Sequence, residues 1–109
     1  MRIAVVGSRS IVIKEIEKYI SGADEIVSGG AVGVDACAAA LSRRMGLKLT
    51  VFLPEYALYG RAAPIVRNKK IVDYADKIVA FWDGKSRGTK DMIDYMQQIG
   101  KHGSVIIYE

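Results

Sequence analysis

The chain has 109 residues, half of them hydrophobic and 26% charged, which is the size and balance of one globular domain and excludes wholesale disorder. Lys and Arg outnumber Asp and Glu by 16 to 12, and the formal charge of +4 permits an anionic partner without naming one. No apolar run approaches the roughly 20 residues of a spanning helix, and the apolar part of MRIAVVGSRS is too short for a secretory signal. The expectation is a soluble, cytoplasmic protein with no membrane partner.

Ile3–Val6 (IAVV) reads as a first strand, followed by Gly7-Ser8-Arg9-Ser10. Val12, Ile16, Tyr19 and Ile20 predict a helix over about Ile11 to Ile20. Glu25–Ser28 (EIVS) is the second strand, and Gly29-Gly30 opens the loop before a helix from about Val34 to Met45. Cys37 sits on that helix as a small core residue. As the only cysteine it forms no intrachain disulfide and no cysteine-cluster metal site, so neither metal nor cofactor is expected. Lys48–Leu53 (KLTVFL) is the third strand, and Glu55 to Ala63 a loop carrying Tyr56 and Tyr59. Pro64 suits the first turn of a helix that runs on through Ile65 to Tyr74. Lys77–Trp82 (KIVAFW) is the fourth strand and Asp83 to Gly88 a polar turn. A helix over about Thr89 to Ile99 precedes a fifth strand, Ser104–Tyr108.

Continuously apolar strands imply burial on both faces, as in a parallel sheet. Five strands separated by four helices of about ten residues predict an α/β fold: a Rossmann-like, doubly wound three-layer sandwich with strand order 3-2-1-4-5. The whole chain, 1–109, forms one domain. Ligands of such sheets bind beyond the carboxyl ends of the strands, near the point where the order reverses. The loops there are rich in glycine and arginine. Gly29, Gly30 and Gly33 before one helix, and Gly88 and Thr89 before another, fit close backbone approach to a phosphate at a helix start. Gly7, Ser8 and Ser28 lie at the same strand ends. Arg9, Arg67 and Arg87 offer forked donors for phosphate or carboxylate oxygens. Asn68 fits a ribose or base contact, and Asp35, Asp83 and Asp91 are the carboxylates available for catalysis. Arg61, Lys69, Lys70 and Lys85 fall beside the same loops, so the positive excess reads as a rim along one sheet edge. GSRS is not G-x-G-x-x-G, and Gly84-Lys85-Ser86 lacks the earlier glycine of a P-loop, so neither phosphate motif applies. His102 falls in a turn away from this edge.

GSR after the first strand, VSGGAVGVDACA, PEYALYGRAAPIVRNKKIVDYAD and AFWDGKSRGTKDMI together resemble the SLOG superfamily. That superfamily unites the DNA-processing family DprA with the Lonely-guy phosphoribohydrolases; the likeness is to its small bacterial and phage branch, related to the YpsA-type proteins. The resemblance covers nearly the entire chain. It implies a Rossmann-like sheet that binds a nucleotide or an ADP-ribose-like ligand, and a homodimer. It also implies N-glycosidic cleavage of nucleoside 5′-monophosphates in the enzymes of the group. The Lonely-guy element PGGxGTxxE ends in a catalytic glutamate, and that position here is Met92, with Asp91 about 100° round the helix. The arginine-lysine pair of those enzymes is partly kept as Arg67-Asn68-Lys69.

The leading expectation is a nucleotide-binding or sensing module. The alternative is a nucleoside 5′-monophosphate phosphoribohydrolase using Asp35, Asp83 or Asp91. Single-stranded nucleic acid, stacked on Tyr56, Tyr59 and Trp82, is a distant third. For a dimer, the Met92, Tyr95 and Met96 face is one surface, although core packing accounts more simply for the methionines.

Overall fold

A computed structural model describes residues 1–13, 15–30 and 33–108. Five parallel strands form one sheet in the order β3-β2-β1-β4-β5, with β1 Arg2–Gly7, β2 Glu25–Ser28, β3 Lys48–Val51, β4 Lys77–Trp82 and β5 Gly103–Ile107. The two most apolar strands take the middle. Ala4 and Val5 of β1, and Ile78 and Phe81 of β4, are fully buried. The edge strands begin on exposed Lys48 and Gly103.

Helices cover both faces. On one, α1 (Val34–Met45) sets Val34, Ala38 and Leu41 against Ile3, Val5, Ile26 and Phe81. On the other, α3 (Ala63–Tyr74) and α4 (Arg87–Gln98) set Ile71, Val72, Met92 and Met96 against Ala4, Val6, Val27 and Ala80. The architecture is therefore the doubly wound one, and β1 and β4 flank the point where the strand order reverses. Gly46 ends α1 in the left-handed region at φ 69°, the conformation that lets Leu47 donate back to the Ser42 carbonyl at 2.9 Å. Among the described residues no helix is long and apolar enough to cross a membrane.

The first crossover differs from expectation. The helix predicted over Ile11 to Ile20 is a single 3-10 turn, Ile16–Tyr19, and Lys14 of that stretch lies outside the described residues. Ile11 and Ile13 are both buried while Val12 between them is 70% exposed. That alternation belongs to extended chain, and three consecutive β-branched residues favour it over helix. So among the described residues three helices of twelve residues, not four of about ten, connect the strands. The predicted loop after β3 contains a helical turn, α2 (Tyr56–Tyr59), and a 3-10 turn at Gly60–Ala62. The third strand stops at Val51, two residues early, and α4 starts at Arg87, two residues sooner than predicted. Met92 and Met96 are 5% and 4% exposed and belong to the core, which removes them from any dimer surface. Large apolar side chains are exposed instead between Leu53 and Ile65.

Candidate functional site

β1 and β4 run side by side, and Gly7 pairs with Phe81 at their carboxyl ends. A Cβ on Gly7 would stand 2.4 Å from the Phe81 carbonyl, so glycine is what lets these strand ends close up. Beyond them the chain leaves in opposite directions, toward the extended arm after β1 and toward α4 after β4. The divergence opens a cleft of about 450 Å³. Its walls come from four segments: Arg9 and Ser10 after β1, Gly29 and Asp35 around the β2–α1 loop, Pro64 to Ile71 of α3, and Asp83 to Met92.

Arg67 is the best-anchored cation. Its Nη1 donates to the Gly29 carbonyl at 2.8 Å and its Nε to Asn68 Oδ1 at 2.9 Å. Burial pulls its guanidinium below the usual value; Asp35 and Tyr56 oppose that, and Arg9 adds to it. An arginine so placed stays charged at neutral pH. Gly29 makes this wall possible, because a Cβ there would meet Arg67 Nη1 at 2.8 Å and Asp35 Oδ2 at 3.0 Å. Asp35 is 6% exposed in the first turn of α1, where the helix dipole favours its charge. Arg9 is exposed at the rim.

Asp83 shapes the opposite wall. Oδ1 accepts from the Ser86 and Lys85 amides at 2.7 and 2.8 Å, and Oδ2 from Ser10 Oγ at 3.1 Å. These bonds, the Ser86 amide first, hold its carboxyl below the usual range, so at neutral pH it has no proton to give. Its work is to turn the chain into α4 and present Gly88 and Thr89 in that helix's first turn. Among the described residues, neither Gly33 at the start of α1 nor Ser86 at the start of α4 makes a side-chain capping hydrogen bond. The amides of a helix start and the positive end of its dipole favour an anion. Val6 and Met92, 4% and 5% exposed, put a little apolar surface at the base of the cleft, with Ile71 fully buried behind it.

The structure thus brings together Gly7, Arg9, Gly29, Asp35, Arg67, Asn68, Asp83, Gly88 and Thr89. Three further predicted residues support the loops without lining the cleft. Ser8 Oγ accepts from the Asp83 amide at 3.2 Å, and Ser28 Oγ from the Gly30 amide at 3.2 Å. Gly33 packs against the Arg9 backbone, where a Cβ would lie 2.4 Å from its carbonyl oxygen. Gly30 meets Val51 and Leu53 outside the cleft. Ala31 and Val32 of the same loop lie outside the described residues. Arg87 and Asp91 are exposed on α4 and do not line the cleft, for the inward positions of that helix belong to Thr89 and Met92.

The positive excess is not concentrated in the cleft itself. Inside the cleft two arginines face two aspartates, whereas Arg61, Lys69, Lys70 and Lys85 fall outside it and Lys70 pairs with Glu55 at 2.9 Å. The aromatic residues are also elsewhere. Trp82 Nε1 donates to the Ser86 carbonyl at 2.9 Å and braces the turn, and Tyr56 and Tyr59 are 60% and 38% exposed outside the cleft. Sequence reasoning left out Ser10, Ser86, Pro64 and Ile71. Pro64, Arg67, Asn68 and Ile71 follow i, i+3, i+4, i+7, so one more turn of α3 around Arg67 would have found the outer two. Among the described residues no group of three His, Cys, Asp or Glu could hold a metal ion.

Compared with protein-family models, curated proteins and solved structures, the chain matches none of them.

Proposed function

We propose that the chain is a nucleotide-binding or sensing module of SLOG type, taking the phosphate of a nucleotide or an ADP-ribose-like ligand in the cleft between β1 and β4. The observation that carries this reading is the anchored Arg67 guanidinium sharing the cleft with the start of α4, where Ser86 makes no side-chain capping hydrogen bond. Both are fixed before a ligand arrives, so little ordering opposes binding. Isothermal titration against AMP, ADP-ribose, NAD and cyclic nucleotides tests it. At least one should bind, and Arg67→Ala should weaken that binding by at least about tenfold, the effect of losing a charge-assisted hydrogen bond. A panel that gives no heat with the native protein sinks the reading.

Hydrolysis of the N-glycosidic bond is the second reading, and it narrows to Asp35. Of the three carboxylates, Asp35 alone is both buried and at the cleft. It would stabilise positive charge developing at the ribose or activate water. Free base released from a nucleoside 5′-monophosphate, and abolished in Asp35→Asn, is the expected result; an inactive native protein across all bases removes it. A cytoplasmic homodimer is part of the proposal, and sedimentation velocity reads its mass.

A further inference from the structure

Arg67 and Asn68 are neighbours on α3, and consecutive helical residues leave the axis about 100° apart. Helix geometry alone does not bring their side chains together, yet Arg67 Nε donates to Asn68 Oδ1 at 2.9 Å. The other end of the asparagine is also engaged, with Nδ2 donating to the Gly88 carbonyl at 3.3 Å. Asn68 is only 9% exposed, and both of its bonds are partly shielded from water. With the 2.8 Å bond from Arg67 Nη1 to the Gly29 carbonyl, a chain of three hydrogen bonds runs from the end of β2 through α3 to the first turn of α4. It joins the two sides of the cleft. A guanidinium has five N–H groups in a fixed fork. The chain uses Nε and Nη1, and Nη2 makes no hydrogen bond to a described residue.

We infer that Asn68 is a positioning residue: it locks Arg67 so that the unused edge of its fork meets the bound anion, and it ties that orientation to the first turn of α4. An asparagine is suited to this because it accepts with one atom and donates with the other. Aspartate could serve the arginine but not the Gly88 carbonyl, and alanine could serve neither. Without Asn68 the ligand itself must order a long side chain, and affinity falls accordingly. The ligand in this inference rests on the anion-binding reading, whereas the locked guanidinium does not.

The test pairs arginine side-chain NMR with calorimetry, using inorganic phosphate and AMP as probes. In the ligand-free protein the Arg67 Nε–H should give a resolved, slowly exchanging signal. Asn68→Ala should speed that exchange at least about tenfold and weaken both probes by about tenfold, the effect of a lost hydrogen bond to a charged group. Asn68→Asp should keep the slow Arg67 signal, since the acceptor remains. An unchanged signal in Asn68→Ala, or its loss in Asn68→Asp, overturns the inference. Should Asn68→Ala fail to fold, the Asn68→Asp spectrum alone decides. Probes that do not bind the native protein, beside NMR signals that behave as expected, would remove the anion-binding reading and leave the positioning role standing. Normal binding that Asn68→Ala does not alter would do the reverse.

Discussion

Three glycines around the cleft have different neighbours, and those neighbours separate ligand contact from folding. At Gly29 the space of a Cβ is taken by Arg67 Nη1 and Asp35 Oδ2. Both are side-chain ends that can swing aside, so Gly29→Ala should fold and lose nucleotide affinity, read by calorimetry. At Gly33 the space is taken by the Arg9 backbone, and φ is +75°. Gly33→Ala should therefore lower stability by on the order of 3 kcal/mol in urea unfolding. At Gly88 nothing lies within 4 Å of the missing Cβ, and φ is not positive. Alanine there should raise helix stability by about 0.5–1 kcal/mol while projecting from a residue that lines the cleft. A variant at position 88 that melts higher and binds weaker would mark that position as ligand contact.

The turn between β4 and α4 depends on one ionised group. Two amide hydrogen bonds favour the charged form of Asp83, so its folded value lies below that of free aspartate. The order this contributes is complete above the ordinary aspartate range and is lost as pH falls through the depressed value. Amide exchange at Lys85 and Ser86 should accelerate on acidification, relative to the strand interiors, and Asp83→Ala should show the same acceleration at neutral pH. Exchange at Ser86 that ignores both changes would deny Asp83 this role. The element is also instructive about reading sequence. Asp83, Gly88 and Thr89 were legible as a polar helix entrance. That Asp83 is consumed by its own turn was not, because the bond partners are backbone amides, which every residue has. The extended arm after β1 shows the converse difficulty: Ile11, Val12 and Ile13 are uniformly apolar, so their alternating burial has no counterpart in the sequence pattern.

For the molecule as a whole, ligand binding and folding are linked. A nucleotide present at 100 times its dissociation constant adds about 2.7 kcal/mol to the native state. In a domain of this size that should raise the melting temperature by on the order of 10 °C, and Arg67→Ala should erase most of the gain. A nucleotide that binds by calorimetry but leaves melting unchanged would mean that it also binds the unfolded chain. The far edge of the sheet offers a contrast with the cleft. Glu25 is buried there too, but Thr50 Oγ1 and Tyr74 Oη each donate to it at 2.6 Å, and Lys48 lies 3.7 Å away. Although burial pushes its carboxyl up, those partners bring it below the usual value, and the cluster joins β2, β3 and α3. A buried acid is therefore not in itself a site here.

Strand order, the sheet edge that holds the cleft and most of the residues around it were legible in the amino-acid pattern. Continuous apolar runs force burial on both faces, and right-handed crossovers leave few ways to arrange five parallel strands. Which polar side chains share the cleft depends on how the layers pack. Arg87 and Asp91 sit as near to the loops in sequence as Gly88 and Thr89 do, but the rotation of α4 turns them outward. Arg67 and Gly29 are 38 residues apart, and their 2.8 Å contact exists because the end of β2 meets the first half of α3. Helical phase and long-range contact depend on how the layers pack, and local sequence carries neither.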